Sequence, residues 1–296
     1  MLSWEPNHCL NVEACSRVTA YDNDGVTWAP NEAQHNMSRP IRIFNGSLIG
    51  FSQLNIIGKA IRFLSNDSSK KGFSHIGIAV IARPSDVVRM ICESAEGGGL
   101  ATRDKKYTIE QLEIMREVYP YLWASDGNKS ELKDWVNSTL ASQDETPDVF
   151  CLEACGTPGE VFRGLGPRVK ITPLTKVVDN YNGGVCVRSL HEPLASDQLR
   201  VAIVRNLGIS YEKSLKQLFN SVTGGNTEED GSSWFCSELA AHIYKQTNVF
   251  ADGKLANNTI PKDFSSASET DLLRGKATDE MWVKISDPAT FEDVDT

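Results

Sequence analysis

The sequence lacks both long apolar runs and long clusters of one charge. No stretch of its 296 residues approaches the roughly 20 consecutive apolar residues that a transmembrane helix needs. Lysine and arginine occur only in short groups such as Lys70 with Lys71, and the formal net charge is −9. An acidic chain has no general electrostatic attraction for nucleic acid or for an anionic membrane surface. We therefore expect neither a transmembrane segment nor a nucleic-acid partner.

Several common functional signatures are also missing. The sequence contains no Walker A motif, no Gly-x-Gly-x-x-Gly and no Gly-x-Ser-x-Gly, so nothing indicates a P-loop nucleotidase, a dinucleotide-binding fold or a serine nucleophile elbow. Residues 1–20 lack the basic segment and apolar core of a secretory signal. We expect a cytoplasmic protein, or one that a dedicated apparatus delivers into another cell.

Cysteine is present, but its pattern favours free thiols. The seven cysteines are odd in number and irregularly spaced, which is typical of reduced thiols in a cytosolic compartment. His8 and Cys9 with Cys15, and Cys151 with Cys155, resemble parts of a metal site. Neither group has the second pair that a zinc site requires. The prediction is that the protein holds no metal and no other cofactor.

The hydrophobic pattern indicates an α+β protein with four parts. Residues 1–40 are predicted to be an N-terminal extension, and residues 271–296 an acidic C-terminal tail. Residues 41–99 and 166–270 would form the core, and residues 100–165 a helical insertion.

Within the core, alternation and helical periodicity predict individual elements. Strands are expected at residues 41–44, 47–51, 73–82, 168–173 and 184–190, and helices at residues 196–207 and 234–250. A second apolar run, residues 87–94, follows a turn at residues 83–86 and is predicted to pair with residues 73–82 as a hairpin. Residues 151–167 are predicted to be a loop.

Cys236 stands at the start of a predicted amphipathic helix, which Ser232 or Ser233 is expected to cap. The positive end of the helix dipole and the free N–H groups of the first turn both favour a thiolate. Those N–H groups can also hold an oxyanion. The position therefore favours a cysteine nucleophile, and the alternative is a core cysteine packed at a helix start.

His75 lies within an apolar strand, where an imidazole needs a polar partner. In the predicted hairpin, Glu93 falls opposite or nearly opposite His75, with their Cβ atoms about 5 Å apart. The carboxylate would then accept the imidazole N–H and fix its tautomer. A register shift of one residue would put the two side chains on opposite faces. The alternatives are a satisfied core histidine and a surface ion pair.

Six short motifs follow one another in an order that resembles a known family. They lie at residues 46–51, 73–77, 92–94, 207–211, 235–239 and 260–264. Together they resemble the circularly permuted NlpC-type papain-like superfamily, which includes YiiX/YaeF-like proteins and, more distantly, lecithin:retinol acyltransferase. The resemblance covers residues 41–99 and 168–265. It implies a papain-like fold in which an antiparallel sheet or barrel carries the histidine and the nucleophile opens a packed helix.

The resemblance also implies roles for individual residues. Cys236 would be the nucleophile, His75 the general base, Glu93 the residue that orients the imidazole, and Tyr211 a hydroxyl near the oxyanion. Ser47 departs from the aspartate that such proteins often carry at this position, and we expect it to be structural.

These expectations lead to two functions of different classes. The first is a cysteine hydrolase or acyltransferase that acts on an amide, ester or thioester through an acyl-enzyme, with a peptide, lipid or other acyl-bearing substrate. The second is an inactive binding module that keeps the fold and uses the insertion as its binding surface. In the first case we expect the insertion, with Tyr121, Trp123 and Trp135, to form a lid or docking face that determines substrate choice.

Overall fold

The computed structural model describes residues 18–22, 25–29, 40–53, 72–95, 146–155, 168–181, 183–212, 223, 225–226, 231–249, 255–268 and 270–284. Within these residues the fold is α+β, with one three-stranded antiparallel sheet and one eight-stranded mixed sheet. The strands are β1 (Val18–Tyr21), β2 (Val26–Trp28), β3 (Ile41–Ile43), β4 (Leu48–Gln53), β5 (His75–Ala82), β6 (Asp148–Cys155), β7 (Arg168–Pro173), β8 (Gly183–Arg188), β9 (Ser210–Tyr211), β10 (Ser233–Trp234) and β11 (Met281–Lys284).

Strands β1 to β3 form the small sheet. The order across the large sheet is β10-β9-β7-β6-β5-β4-β8-β11. All neighbours in it are antiparallel except β9 and β10. Strands β4 to β7 therefore lie side by side at the centre, and their register determines which side chains meet there.

Four α-helices lie in the described part of the chain: α1 (Pro84–Ala95), α2 (Leu174–Asn180), α3 (Ser196–Asn206) and α4 (Cys236–Gln246). Helices α1, α3 and α4 share one hydrophobic core with the large sheet. Helix α2 and the small sheet share a second core with it. Because β5 contributes to both cores, its sequence reads as a nearly continuous apolar run.

The predicted hairpin is wrong in its second half. Strand β5 forms as expected, but it pairs with β4 and β6, and residues 84–95 form helix α1. Pro84 suits the first turn of a helix because its ring fixes φ and the missing N–H would have no intrahelical acceptor there. Val87, Val88 and Ile91 are buried at helical spacing. A short apolar run of this kind fits a strand or a helix equally well.

The predicted loop at residues 151–167 is wrong for its first residues. Strand β6 occupies residues 148–155 and is the central neighbour of β5 and β7. The predicted insertion boundary therefore includes a strand of the main sheet. Residues 100–145 and 156–165 of the insertion, including Tyr121, Trp123 and Trp135, lie outside the described residues.

Both predicted end segments contribute to the folded structure. Val26 and Trp28 of β2 are fully buried, and β11 pairs with β8 at the edge of the large sheet. Arg188 at the end of β8 forms a buried, two-pronged ion pair with Asp271, with N–O distances of 2.8 and 3.1 Å. Residues 270–284 are thus fastened to the large sheet.

Ser47 has a structural role. Its buried Oγ accepts a hydrogen bond of 3.0 Å from the Phe44 N–H and one of 3.4 Å from the Leu190 N–H. It fastens the turn before β4 to the segment after β8. Among the described helices, none has the length and apolar character needed to cross a membrane.

Candidate active site

Helix α4 presents Cys236 as its first residue. Phe235 is the N-cap residue and provides no side-chain cap, so the expected cap at Ser232 or Ser233 is wrong. The Ser233 hydroxyl instead donates to Glu212 Oε2 at 2.5 Å. The helix start is held by Glu238, whose Oε2 accepts the Phe235 N–H at 3.0 Å. An acidic group in the first turn suits the helix dipole.

Four side chains form a row across the four central strands of the sheet. Phe51 of β4 pairs with His75 of β5, and Glu153 of β6 pairs with Lys170 of β7. The β5–β6 register places Glu153 opposite Gly77, two residues along from His75 on the same face. The row therefore reads Phe51, His75, Glu153, Lys170.

Gly77 lets β6 approach β5 closely beside Glu153. A Cβ at residue 77 would lie 2.5 Å from Cys151 Sγ and 3.5 Å from Glu153 Cβ. Real Cβ atoms do not approach as closely as the first distance, so a larger residue would push β6 away. With glycine there, β6 stays close to β5, and Glu153 Oε2 lies beside His75 Nε2 of the neighbouring strand.

The imidazole of His75 has two polar neighbours. Its Nε2 lies 2.6 Å from Glu153 Oε2, the length of a strong, charge-assisted hydrogen bond. The Cys236 thiol is the second neighbour, joined to the imidazole by a side-chain hydrogen bond and by charge interaction. Because Nε2 is taken by Glu153, Nδ1 is the ring nitrogen left for the thiol. The Phe51 ring packs against the imidazole, with centroids 5.0 Å apart.

Glu93 does not orient His75, and that assignment is wrong. It lies on helix α1, where its carboxylate forms an ion pair with Arg200 of α3. Its prediction depended on the hairpin, and the hairpin is not formed. The carboxylate beside His75 comes from β6, 78 residues further along the chain.

Burial and charge act on the two partners in opposite ways. Burial alone would raise the pKa of the Glu153 carboxyl, but Lys170 and the hydrogen bond with His75 lower it to about 2. Burial alone would lower the pKa of His75, but Cys236 and Glu153 raise it well above its ordinary value of 6.5. The raised pKa of His75 and the lowered pKa of Glu153 both favour a charged imidazolium beside an ionised carboxylate. The site is thus suited to a thiolate–imidazolium pair.

Tyr211 of β9 lies close to the nucleophile. Its ring meets that of Phe235 edge to face, with centroids 5.7 Å apart, and Phe235 directly precedes Cys236. Burial and the neighbouring Cys236 raise the pKa of the Tyr211 hydroxyl above its ordinary value of 10. The hydroxyl therefore keeps its proton and can donate it in a hydrogen bond.

The sequence alone did not identify Glu153 or Lys170. A signal for Glu153 was present, because β6 reads Asp-Val-Phe-Cys-Leu-Glu-Ala-Cys, a carboxylate within an apolar run. A lone carboxylate in an apolar strand needs a polar partner just as the His75 imidazole does. For Lys170, the buried lysine in the strand Arg-Val-Lys-Ile-Thr-Pro is a weaker signal of the same kind.

None of the other groups considered from the sequence supplies a side-chain hydrogen bond to His75 within the described part of the chain. His242 stacks on Trp234 with ring centroids 4.6 Å apart, and His191 is exposed. Cys151 is buried and Cys155 half-buried, and neither forms a disulfide bond. Across the residues that the structure describes, no group of three or more His, Cys, Asp or Glu side chains could hold a metal ion. His8, His35, Cys9 and Cys15 lie outside those residues.

The cluster therefore consists of a cysteine, a histidine, a carboxylate and a lysine, with a tyrosine hydroxyl near the cysteine. The Cys236 residue is 7% exposed and the His75 side chain 18% exposed, so the imidazole end of the cluster is the more open to solvent. No protein-family model matches this sequence, and no curated protein matches it either.

Proposed function

We propose that this protein is a cysteine hydrolase or acyltransferase with a papain-like, permuted NlpC-type fold. Its nucleophile would be Cys236, its general base His75 and its orienting carboxylate Glu153. The substrate would carry an amide, ester or thioester carbonyl on a peptide, a lipid or another acyl group. No cofactor is required for this chemistry.

One observation carries the proposal. A helix-N-terminal thiol contacts an imidazole whose other nitrogen lies 2.6 Å from a buried carboxylate. A nucleophile, a base and a residue that orients the base form the arrangement that acyl-transfer enzymes share on unrelated folds. A core cysteine needs no such partners, and here the partners come from two neighbouring strands.

The first half-reaction follows from these positions. His75 accepts the thiol proton at Nδ1, and the Cys236 thiolate attacks the carbonyl carbon to form a C–S bond and a tetrahedral oxyanion. The N–H groups at the start of α4 and the Tyr211 hydroxyl supply donors for that oxyanion. When the oxyanion collapses, the bond to the leaving group breaks and His75 returns the proton to the departing nitrogen, oxygen or sulfur.

The second half-reaction uses the same groups in reverse. His75 removes a proton from water or from an acceptor amine or alcohol, and the nucleophile attacks the thioester of the acyl-enzyme. The C–S bond then breaks, and the thiolate is restored beside the imidazolium. Water gives hydrolysis, and another acceptor gives transfer, so both reactions need the same residues.

A trapping experiment tests this proposal directly. The protein is mixed with activated acyl donors, such as p-nitrophenyl esters and thioesters of short and long chains, and intact mass and peptide mapping locate the adduct. We expect a transient acyl group on Cys236 in the wild type, no adduct at that position in Cys236→Ala, and a strongly slowed reaction in His75→Ala. Folded wild-type protein that never becomes acylated at Cys236 would contradict the proposal and favour a binding module.

A further inference from the structure

A buried cation stands behind the carboxylate of the candidate site. Lys170 Nζ lies 3.6 Å from Glu153 Oε1, while the other carboxylate oxygen, Oε2, binds His75. Both side chains of the Lys170–Glu153 pair are almost fully buried, at 6% and 7% exposure. The pair is fixed by the register, because the two residues are direct partners on β6 and β7.

The buried Lys170–Glu153 ion pair is not explained by its contribution to the stability of the fold. Desolvating two charges costs about as much as their attraction returns, so a buried ion pair adds little over apolar residues of similar size. A buried carboxylate without a cation, however, tends to take up a proton. The cation therefore has its clearest effect on the charge of Glu153.

The charges of the cluster alternate in the active form. Lys170 and the imidazolium are positive, and Glu153 and the thiolate are negative, so the four groups together are neutral. If Lys170 were neutral, the buried cluster would carry a net negative charge. That charge is relieved most easily when a proton binds Glu153, which leaves the imidazolium less well stabilised, or binds the thiolate, which removes the reactive ion pair.

We propose that Lys170 is a positioning residue that keeps Glu153 ionised and in place, and that through Glu153 it sets the pH range over which Cys236 is reactive. This inference rests on the proposed function. It adds a fourth member to the cluster, one that touches neither the thiol nor the reacting carbonyl.

Other titratable groups also surround Glu153 and must be kept constant in any test. On β6 itself Cys151 interacts with the Glu153 charge, and Cys155 interacts with Cys151. From the elements packed around it, His75 and Tyr181 interact with Glu153 directly, and Cys236 interacts with His75. Two cations interact with the Glu153 charge within the described residues, and they are Lys170 and protonated His75. A substitution at Lys170 therefore changes one charge and leaves the others in place.

The experiment measures the rate at which iodoacetamide alkylates Cys236 as a function of pH, by peptide mass spectrometry on the full chain. In Lys170→Met we expect the acid limb of the profile to move to higher pH by at most about one unit, because Lys170 acts on Cys236 only through Glu153 and His75. Lys170→Arg keeps the charge and should keep the limb close to its wild-type position. Lys170→Gln, which retains a polar tip, serves as the second variant if the methionine variant does not fold.

A double-mutant comparison shows whether Lys170 acts through Glu153. In a Glu153→Gln background there is no carboxylate to keep ionised, so adding Lys170→Met should leave the acid limb where Glu153→Gln puts it. The double variant also carries no unpaired buried charge, which favours its folding.

The outcomes separate this inference from the proposed function. An unchanged acid limb in folded Lys170→Met or Lys170→Gln, with a shifted limb in Glu153→Gln, would overturn the role of Lys170 and leave the cysteine–histidine chemistry intact. A further shift in the double variant would overturn action through Glu153. Wild-type Cys236 that reacts no faster than the other thiols at any pH would instead overturn the proposed function itself.

Discussion

At the scale of single residues, the reactivity of Cys236 depends on whether the His75 imidazole is protonated. Glu153 accepts from His75 at 2.6 Å, and its pKa of about 2 means that it stays ionised from mildly acid pH upward. An ionised carboxylate favours the imidazolium, and the imidazolium in turn favours a thiolate beside it. The reactivity of Cys236 is therefore a property of the whole cluster.

Two matched substitutions test which glutamate matters. Glu153→Gln removes the charge beside His75, and we expect the alkylation rate of Cys236 near pH 6.5 to fall about tenfold, since a neighbouring opposite charge is worth about one pKa unit or more. Glu93→Gln is the control, because it makes the same chemical change at a buried glutamate that is paired with Arg200. The rate constant for labelling of Cys236 is the measurement.

In the Glu93→Gln control, iodoacetamide should alkylate Cys236 at the wild-type rate. A large loss of reactivity in Glu93→Gln, with little loss in Glu153→Gln, would restore the hairpin interpretation of the sequence and contradict the geometry described here. Circular dichroism and the unfolding midpoint show whether each variant remains folded.

At the scale of secondary structure elements, the site depends on where helix α4 begins. Glu238 accepts the Phe235 N–H at 3.0 Å and is itself buried, so it fixes the turn that presents Cys236. Phe235 also contacts Tyr211, which links that turn to β9. A displaced helix start would move the thiol and its oxyanion donors together.

Glu238→Ala tests this link between the helix start and reactivity. Loss of a capping interaction costs about 1 kcal/mol of stability, and we expect the free energy of unfolding to fall by about that amount or somewhat more because the group is buried. We also expect slower alkylation of Cys236 in the folded variant. Urea unfolding and labelling kinetics measure the two effects, and full reactivity despite the lost stability would show that the cap does not position the thiol.

The elements also show what local sequence can predict. Strands β5, β7 and β8 and helices α3 and α4 follow from their hydrophobic periodicity, because each has a strong local pattern. Helix α1 does not, because its apolar run is short and its β-branched residues fit a strand equally well. Tertiary packing against α3 and the sheet decides its conformation.

The candidate site was predictable in part for the same reason. Cys236 and His75 are conspicuous within their own elements, as a cysteine at a helix start and an imidazole in an apolar strand. Glu153 becomes a partner of His75 only because β6 lies beside β5, and that neighbourhood follows from the sheet order. Local pattern does not specify which distant strand pairs with which, so the sequence points to Glu93, which lies nearer to His75 in the chain.

At the scale of the whole molecule, a buried ion pair joins the last described segment to the sheet. Arg188 donates to both Asp271 oxygens, to the Phe264 carbonyl at 2.5 Å and to the Thr278 carbonyl at 2.8 Å. The side chains of the pair are 2% and 4% exposed. This contact fastens the segment after α4 across the end of β8.

Asp271→Asn should destabilise the whole fold. It leaves the Arg188 guanidinium buried without its counter-charge, and breaking such a pair costs about 3–5 kcal/mol. Replacing both residues, as in Arg188→Met with Asp271→Leu, should cost less than the single change because no charge is left unpaired. Urea unfolding provides both values, and a single variant as stable as the wild type would show that water reaches the arginine.

The central claim is that His75 activates Cys236, and selective alkylation tests it most directly. A limiting dose of iodoacetamide is applied to the folded protein at about pH 6.5, where an ordinary thiol is almost entirely protonated. We predict that Cys236 is labelled ahead of the other six cysteines of the chain and that His75→Ala abolishes this preference. Even labelling of all seven thiols in the wild type, or a preference for Cys236 that survives in folded His75→Ala, would contradict the account.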